Sequence, residues 1–394
     1  MKERSHKIFA TVFPDLENIH LIKDPGMIPY TMQHTYGYKS ILPCFDNRTY
    51  IYTNDWFDIE MPTIHHLRLL GRIGDIYSCH KWIKRHAKEI DVLHLFFYSN
   101  RTLVDIITYQ TQNKDGRVYV HCDSSSKKLL EYAKNNPIKK SINHFLVKII
   151  DSNKILWGIQ DSEHIERLRE KKPFQHLEYI PDGYFWPNEN KQLIQSKEPT
   201  ILTVGRIGAK SKRTDLLLEG FRRASSFIPN WKLRLIGNID NRFVEAIERF
   251  LRENSEIKNR IEMVGAITDR DELQKEYDHA AIFCLTSDWE SFGIAQIEAM
   301  SRGCHVVSSN LSSSRYLKKL TGAVTLFNCG DAEDLKVSLI DAVRQSPGHN
   351  PQRLMGIIQH HFSWDNILKP VAEWIQNEIK NREKPNAGTD YNKL

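Results

Sequence analysis

The amino-acid sequence predicts an α/β protein with two Rossmann-like domains, each built on a parallel sheet with helices on its faces. The chain has 394 residues, whereas single hydrophobic cores stop growing at about 250–300 residues. Short apolar runs typical of buried strands alternate with helical patterns along the chain. The turn Pro181-Asp182-Gly183 and the polar stretch Asn188–Glu198 interrupt this alternation, and we interpret them as the linker between the domains.

Composition and cysteine usage narrow the class of protein. A hydrophobic share of 40% and a charged share of 26% are typical of a globular chain. The net charge of +6 permits an acidic ligand or an anionic membrane surface and requires neither. Six scattered cysteines without a Cys-x-x-Cys pair predict buried free thiols rather than a zinc site. No stretch approaches about 18 apolar residues and Ile8–Phe13 is too short for a signal peptide, so we expect a cytoplasmic protein.

The first half of the chain reads as strands separated by helices. The predicted helices are Ile28–Tyr36, Ile76–Ile90 and Arg101–Gln110, and the predicted strands are Lys7–Phe13, Ser40–Cys44, Thr49–Tyr52, Asp91–Tyr98, Arg117–Val120, Ile155–Gln160 and Glu178–Ile180. A turn at Pro25-Gly26 separates the first strand from the first helix, where open α/β sheets bind ligands. Gly26 is therefore a candidate contact, with Lys23 and Asp24 nearby, although an ordinary turn would look the same.

A histidine marks the end of one predicted strand. His121 follows Arg117–Val120 at the carboxyl end, where parallel sheets place residues that contact ligands. A lone histidine is more often a structural hydrogen-bonding group, so both interpretations stay open. Asp123 is the competing candidate at the same strand end.

The segment Lys127–Lys148 is the most basic part of the chain, and its lysines alternate with apolar residues. Such a segment can lie on an anionic membrane leaflet. A charge run of this kind is more often a solvated helix face, so peripheral contact with the inner face of a membrane is one of two interpretations.

The second half repeats the alternation. The predicted strands are Thr200–Val204, Trp231–Ile236, Ile261–Val264, Ala281–Leu285 and His305–Ser308, and the predicted helices are Leu216–Phe221, Arg242–Glu253, Asp271–Tyr277, Phe292–Arg302, Asp334–Arg344 and Trp364–Lys380. The loop Gly205–Arg213 carries four cations and two glycines, which suit a diphosphate because glycine admits phosphates and Arg and Lys neutralise them. A solvated basic loop explains the same residues equally well.

Two glutamates flank a predicted helix start. Glu290 lies just before the helix and Glu298 about two turns into it, so they are separated by roughly 12 Å. A helix N-terminus favours an anion, Gly293 lets the backbone approach a phosphate, and carboxylates accept hydrogen bonds from paired hydroxyls. The spacing alone would fit two ordinary surface glutamates as well.

The stretch Glu290-Ser-Phe-Gly-Ile-Ala-Gln-Ile-Glu298 closely resembles the Glu-x7-Glu motif of family 4 retaining glycosyltransferases with the GT-B fold. The resemblance implies two Rossmann-like domains facing each other across a cleft. Residues 1–183 would then bind the acceptor, and residues 184–363 would bind the nucleotide sugar. Residues 364–380 would form a helix crossing back to the first domain, and residues 381–394 would be a disordered tail.

The resemblance also implies roles for individual residues. Arg206 and Lys212 match the Gly-Arg and Lys positions of the family's phosphate loop, where Lys210 is a rival and Arg213 replaces a small residue. Glu290 would hold the sugar hydroxyls and Glu298 the ribose, with His121 pointing at the donor sugar. The other implied donor contacts are Gly26, Gly205, Ile267, Thr268, Ser291, Phe292, Gly293 and Ile294. The stretch Ser308–Arg315 departs from the family's Gly-Gly and glutamate pattern.

The function implied is metal-independent, retaining transfer of a hexose from a nucleotide-diphosphate sugar, with a UDP-sugar favoured. The acceptor would be a hydroxyl of a glycan or lipid-linked saccharide in surface polysaccharide or glycoconjugate synthesis, and no nucleic acid or further cofactor is expected. Two alternatives stay open: a non-catalytic partner of another transferase, and a sugar-nucleotide epimerase. A dehydrogenase is disfavoured because no Gly-x-Gly-x-x-Gly follows a strand.

Overall fold

The computed structural model describes residues 6–54, 56–132, 134–161, 163–186, 197–345 and 350–383. The chain forms two compact units. The first unit combines Met1–Asp182 with Trp364–Leu394, and the second unit is Gly183–Ser363. Most of the predicted linker and most of the predicted tail, residues 188–196 and 384–394, lie outside the described residues.

A six-stranded parallel sheet forms the core of the first unit. Its strands are β1 (Ile8–Thr11), β2 (Lys39–Ile41), β5 (Val92–Phe96), β6 (Arg117–His121), β7 (Ile155–Ile159) and β8 (Leu177–Tyr179), in the order β2-β1-β5-β6-β7-β8. A separate two-stranded sheet pairs β3 (Cys44–Phe45) with β4 (Thr63–Ile64). The central strands β5, β6 and β7 are buried along their whole length, as expected for a parallel sheet covered on both faces.

Helices connect these strands. They are α1 (Asp24–His34), α2 (Gly71–His86), α3 (Asn100–Gln112), α4 (Ser126–Leu130), α5 (Pro137–Ile149) and α6 (Ile165–Arg169). The last helix of the chain, α14 (Trp364–Glu383), packs on α1. The hydroxyl of Thr35, which follows α1, donates to Asp365 Oδ1 at 2.5 Å.

Two predictions for the first unit are wrong. Helix α1 begins at Asp24, so Pro25 and Gly26 lie in its first turn rather than in a loop, because proline is readily accommodated at the start of a helix. A Cβ on Gly26 would lie 2.2 Å from the Leu21 carbonyl oxygen, so close backbone packing explains this glycine. Thr49–Tyr52 is not a strand, because Ile51–Asn54 turns into a short 3-10 helix and the Tyr50 hydroxyl donates inward to the Leu16 carbonyl.

The second unit contains another six-stranded parallel sheet. Its strands are β9 (Glu198–Val204), β10 (Lys232–Ile236), β11 (Ile261–Gly265), β12 (Ala280–Leu285), β13 (His305–Ser309) and β14 (Val324–Phe327), in the order β11-β10-β9-β12-β13-β14. The chain reverses its direction across the sheet between the neighbours β9 and β12. Doubly wound sheets bind ligands just outside the carboxyl ends of the strands at such a switch point.

The helices of the second unit are α7 (Thr214–Ala224), α8 (Asn241–Glu253), α9 (Arg270–His279), α10 (Ile294–Ser301), α11 (Ser312–Thr321), α12 (Ala332–Gln345) and α13 (Pro351–Phe362). Helix α10 starts two residues later than predicted, because Gly293 adopts a left-handed conformation (φ 88°) at its N-cap. Glu298 therefore lies little more than one turn into α10. Helices α11 and α13 were not predicted from the sequence.

Two further features bear on the sequence-based expectations. All six cysteines are free, and Cys79, Cys122, Cys284 and Cys304 are buried, as predicted for thiols that fill core positions. Within the described ranges, no helix has the length and apolar character needed to cross a membrane.

A substitution at Gly237 tests how tightly the carboxyl ends of β9 and β10 are packed. This glycine follows β10 with φ 139°, and a Cβ there would lie only 1.7 Å from the Gly205 carbonyl oxygen. We expect Gly237→Ala to lower the free energy of unfolding by at least about 3 kcal/mol, measured by urea titration. The matched control is Gly265→Ala, where φ is 84° but no atom lies within 4 Å of the added carbon. This control should cost only about 1–2 kcal/mol of backbone strain, and equal losses would contradict the packing argument.

Candidate functional site

An ion pair joins the loops that follow β9 and β12 in the second unit. Lys212 Nζ lies 2.5 Å from Glu290 Oε1, and the Ser287 hydroxyl donates to the same oxygen at 2.5 Å. The Lys212 side chain is 27% exposed and that of Glu290 is 13% exposed. The pair is thus reachable from solvent but largely enclosed by protein. A cation and a carboxylate are held together at the switch point of the sheet.

Backbone contacts fix the two loops against each other. The Thr286 hydroxyl donates to the carbonyl oxygen of Lys212 at 2.9 Å, and the Asp288 amide donates to the Ser211 carbonyl at 2.9 Å. Arg213 adopts a left-handed conformation (φ 48°) where α7 begins, and its guanidinium pairs with Asp288 at 3.2 Å. The position of Lys212 is therefore set by main-chain geometry as well as by its own ion pair.

Arg206 and Lys210, two other cations of the phosphate loop, take no part in this ion pair. The Arg206 side chain is exposed, and no hydrogen bond or ion pair joins it to the described residues. Lys210 is also exposed and forms a short 3-10 helix with Ser211 and Lys212. A Cβ added to Gly205 would lie 4.0 Å from Lys212 Cε, so the lysine side chain passes over this glycine.

Between Glu290 and α10, the chain offers a ligand its backbone rather than large side chains. Phe292 is fully buried and its ring packs against Phe362 at 5.5 Å, which leaves only its backbone for a ligand. No side chain caps the N-terminus of α10, which begins at Ile294 after the left-handed Gly293. Ser291 is partly exposed. Uncapped amides at a helix N-terminus favour a negatively charged group.

Glu298 lies in a buried polar network. Arg270 Nη2 donates to Glu298 Oε1 at 2.6 Å, and the Tyr277 hydroxyl donates to Oε2 at 3.0 Å. The same Arg270 nitrogen donates to the Phe185 carbonyl, and its guanidinium lies over the Trp186 ring at 4.3 Å. Sequence reasoning found Glu298 but missed its partners, because they come from distant segments without a recognisable motif.

The stretch that departs from the family pattern ties α11 to α10. Ser314 Oγ lies 2.7 Å from Ser308 Oγ and donates to Gln296 Oε1 at 2.8 Å. All three side chains are buried. Ile267 and Thr268 follow β11, at the edge of the sheet, with Ile267 partly buried and Thr268 exposed.

In the first unit, His121 is buried among polar side chains. Its Nε2 lies 3.1 Å from Asp182 Oδ1 and 3.6 Å from Asp24 Oδ2, and its Nδ1 lies 2.9 Å from the Tyr119 hydroxyl. Gln160 Nε2 lies 2.8 Å from His121 Nε2. Both ring nitrogens are thus engaged within the first unit. Sequence reasoning found His121 but missed its contacts with Asp24 and Asp182, which lie far from it in the chain.

Burial governs the protonation of this cluster. Burial and the neighbouring Asp182 raise the pKa of Asp24 to about 6. Burial also raises the pKa of Asp182, against the hydrogen bond with His121. Burial alone would lower the pKa of His121, but the bond to Asp182 and the charge of Asp24 outweigh it and raise that pKa. The three groups interact closely enough to titrate together.

The same three side chains bring ligand atoms of the kinds that bind metals within 4.8 Å of one another. The hydrogen bond from His121 to Asp182 and its ion pair with Asp24 account for this proximity, because an imidazolium between two carboxylates is a stable arrangement in itself. Nothing further in the described residues points to a metal there.

Asp24→Asn tests the protonation of the cluster. The carboxyl of Asp24 has a raised pKa of about 6 in the folded chain against an ordinary value of 3.8. A raised pKa favours the folded state at low pH, and this contribution is lost as the pH rises through about 6. We expect the stability of the native chain to fall with pH across this window by up to about 3 kcal/mol more than that of the variant.

Thermal unfolding at a series of pH values measures this slope. Asp58→Asn, at an exposed aspartate of the first unit, controls for the loss of a carboxyl group. Identical slopes for the native chain and Asp24→Asn would contradict the assignment.

Comparison with known proteins adds to this geometry. Residues 185–355, nearly the whole second unit, match the family described as Glycosyl transferases group 1. Mannosylfructose-phosphate synthase of Agrobacterium fabrum is 26% identical over 221 residues, which are 51% of this chain and 48% of that protein. An uncharacterized glycosyltransferase of Haemophilus influenzae is 26% identical over 42% of each chain. The matched region thus spans about half the length of these curated relatives.

Solved structures match over almost the whole chain. Sucrose-phosphate synthase from Thermosynechococcus elongatus aligns with 95% of this chain and 100% of its own, with a TM-score of 0.67 and 17% identity. Anabaena HepE in complex with UDP aligns with 94% of this chain and 100% of its own, with a TM-score of 0.69 and 13% identity. At this identity the likeness shows the fold, and it confirms the predicted GT-B class of two Rossmann-like sheets.

The motif around Glu290 and the phosphate loop both lie within the matched residues, so the resemblance inferred from the sequence is confirmed. What is shown is a match between residues 185–355 and the family described as Glycosyl transferases group 1.

Proposed function

We propose that the protein transfers a hexose from a nucleotide-diphosphate sugar to an acceptor hydroxyl with retention of anomeric configuration. The observation that carries the proposal is the Lys212–Glu290 ion pair at the carboxyl ends of β9 and β12, beside the uncapped start of α10. A cation, a carboxylate and free helix amides within one short region match the parts of such a donor: diphosphate, sugar hydroxyls and developing negative charge.

The donor's diphosphate would be held by positive groups of the second unit. Lys212 and Arg206 follow β9 and supply two cations, and the backbone amides from Phe292 to Ile294 supply hydrogen-bond donors. Phosphate binding would not have to break any hydrogen bond or ion pair between the Arg206 side chain and the described residues. These groups would stabilise the charge that develops on the leaving diphosphate without a metal ion.

Donor binding would exchange partners at the ion pair. Lys212 would move from Glu290 to a phosphate oxygen, and the freed Glu290 carboxylate would accept hydrogen bonds from the sugar hydroxyls. Without donor, the pair keeps both charges compensated in a largely enclosed site, where a lone charge would be costly. Glu298 would hold the ribose through the acceptor capacity that its bonds to Arg270 and Tyr277 leave unused.

The transfer step needs no separate base, because the departing phosphate takes up the acceptor proton. The acceptor oxygen bonds to the anomeric carbon on the face from which the diphosphate departs, and the bond from that carbon to the phosphate oxygen breaks. The acceptor proton passes to an oxygen of the departing phosphate. We propose that His121, in the first unit, contacts the donor sugar. Its two ring nitrogens are held in place by Asp182 and Tyr119.

The finer identity of the partners is also a proposal. A UDP-sugar is favoured, since the similar fold of HepE was solved in complex with UDP. The acceptor would be a glycan or a lipid-linked saccharide of a surface polysaccharide or glycoconjugate. The reaction would take place in the cytoplasm, with peripheral contact at the inner face of the membrane through Lys127–Lys148.

Two alternatives would use the same fold differently. A non-catalytic partner of another transferase would have no need of Lys212, Glu290 and Glu298 in an ordered arrangement, and their close contacts count against it. A sugar-nucleotide epimerase would consume donor without acceptor and release a different sugar. The products of the reaction therefore distinguish all three functions.

Donor turnover tests the proposal. Purified protein is incubated with a panel of UDP-, GDP- and ADP-sugars in the presence of a chelator, and released nucleoside diphosphate and free sugar are quantified. We expect slow release from one donor, with the original hexose as the other product, and a loss of at least about 100-fold in Glu290→Gln.

The matched control is Glu262→Gln, at a partly exposed glutamate of β11 that pairs with Lys232 and Arg234. It should retain the native rate. Release of an altered sugar would establish the epimerase, and the absence of release and binding for every donor would leave the non-catalytic partner.

A further inference from the structure

Three helices of the first unit form one layer with an unusual outer face. The strands β4, β5, β6 and β7 are joined in turn by α2, α3 and α5, and β5, β6 and β7 are neighbours in one parallel sheet. Right-handed crossovers therefore place α3 and α5 on the same face of the sheet, and α2 packs on the other side of α3. Side-chain bonds confirm the neighbours: His80 of α2 bonds to Asp105 of α3, and Asn100 of α3 to Asn143 of α5.

Two ridges of large apolar side chains project from this layer into solvent. The first ridge lies at the start of α2 and consists of Leu69, Leu70, Ile73 and Tyr77, with exposed fractions of 100%, 56%, 73% and 57%. The second ridge runs along α5 and consists of Ile138, Ile142, Phe145 and Ile149, with exposed fractions of 74%, 47%, 64% and 49%. Val104 of α3, 41% exposed, lies on the helix between them.

The spacing of its residues shows that the second ridge is one continuous side of α5. Residues 138, 142, 145 and 149 recur at intervals of four, three and four, which places them along one side of α5. Leu146 is the one buried residue among the described positions of this helix. Exposed apolar patches of this extent mark interaction sites in otherwise ordinary globular proteins.

The charges of the layer select the kind of partner. Helices α2, α3 and α5 carry eight Lys and Arg side chains and only two carboxylates, Asp75 and Asp105. Both carboxylates are 1% exposed and bonded inward to His66 and His80. The resulting surplus of six positive charges equals the net charge of the whole chain. The outer face therefore presents apolar ridges and cations, with no exposed carboxylate on the three helices.

A cationic cavity continues this face beyond α5. It has a volume of about 440 Å³ and lies between α4 and α6, lined by four cations, Lys127, Lys134, Arg167 and Lys171, and by one carboxylate, Glu131. Lys139, in the first turn of α5, lies over the ring of Tyr132 at 4.5 Å, and Tyr132 follows the lining residue Glu131 in the chain. Four cations around one cavity suit phosphate groups.

We propose that the outer face of the α2–α3–α5 layer docks on an anionic phospholipid bilayer. The two apolar ridges enter the boundary between headgroups and acyl chains, and the surrounding lysines and arginines contact lipid phosphates. Arg72 and Arg101 already pair with Asp15 and Asp105. A protein partner would need exposed carboxylates matched to the six remaining cations, whereas an anionic bilayer supplies negative charge over the whole face. The surface is wider than the Lys127–Lys148 segment, since half of its apolar contact comes from α2.

This inference rests on the proposed function in one respect: docking would bring a lipid-linked acceptor to the enzyme. Vesicle binding needs neither donor nor acceptor. A failure to dock would therefore leave the transferase proposal standing, and an inactive enzyme could still dock.

Flotation of the full chain with vesicles tests the proposal. Vesicles contain phosphatidylcholine alone or equal parts of phosphatidylcholine and phosphatidylglycerol. We expect binding to the mixed vesicles, little binding to the neutral ones, and weaker binding at high salt. The double variants Ile73→Ser/Tyr77→Ser and Ile142→Ser/Phe145→Ser should each weaken the partition by about tenfold or more.

A matched control removes equally exposed apolar residues from the second unit. Phe227 and Val337 are 60% and 47% exposed, and Phe227→Ser/Val337→Ser should bind like the native chain. Free inorganic phosphate in excess separates a lipid surface from a simple phosphate site, because it should not displace the chain from vesicles.

Several results would overturn the proposal. These are equal binding to neutral vesicles, no binding to either kind, an unchanged partition of both ridge variants, or displacement by free phosphate. A dimer of the native chain in solution that dissociates in the ridge variants would instead assign this face to contact between two copies.

Discussion

The ion pair between Lys212 and Glu290 is the interaction on which the account of the second unit depends. It joins the loops after β9 and β12, which are the two strands flanking the switch point of the sheet. Hydrogen bonds from the Thr286 hydroxyl and the Asp288 amide to main-chain carbonyls hold these loops in register, so the lysine and the glutamate are positioned before any ligand arrives. A preorganised pair of opposite charges can be divided between the phosphates and the sugar of one donor, at a small cost in reorganisation.

The first unit depends on a different kind of constraint. His121, Asp24 and Asp182 are buried together, and their polar contacts connect the end of β6, the start of α1 and the turn after β8. Because a buried charge is tolerated only with partners, these three groups fix one another's orientation and protonation. The histidine predicted to face the donor is thereby held in a defined position by two buried carboxyl groups.

The sequence predicted the fold well and the site in part. Buried parallel strands are continuous apolar runs, so β5, β7 and β12 were recognisable from local composition. The start of α1 was misjudged because Pro25 and Gly26 resemble a turn although both fit a first helical turn. The contacts of Glu298 with Arg270 and Tyr277, and of His121 with Asp24, were beyond prediction, because they join residues far apart in the chain that only the tertiary structure brings together.

Calorimetric titration with UDP, GDP and ADP tests the central claim most directly, because it measures whether the Lys212 loop holds a diphosphate. The account predicts binding of at least one nucleotide without metal, weakened by about tenfold or more in Lys212→Met, which corresponds to about 1.4 kcal/mol. Lys210→Met, two residues away in the same loop and outside the ion pair, should bind within about twofold of the native chain. Equal weakening by both variants, or no binding of any nucleotide to the native chain, would contradict the account.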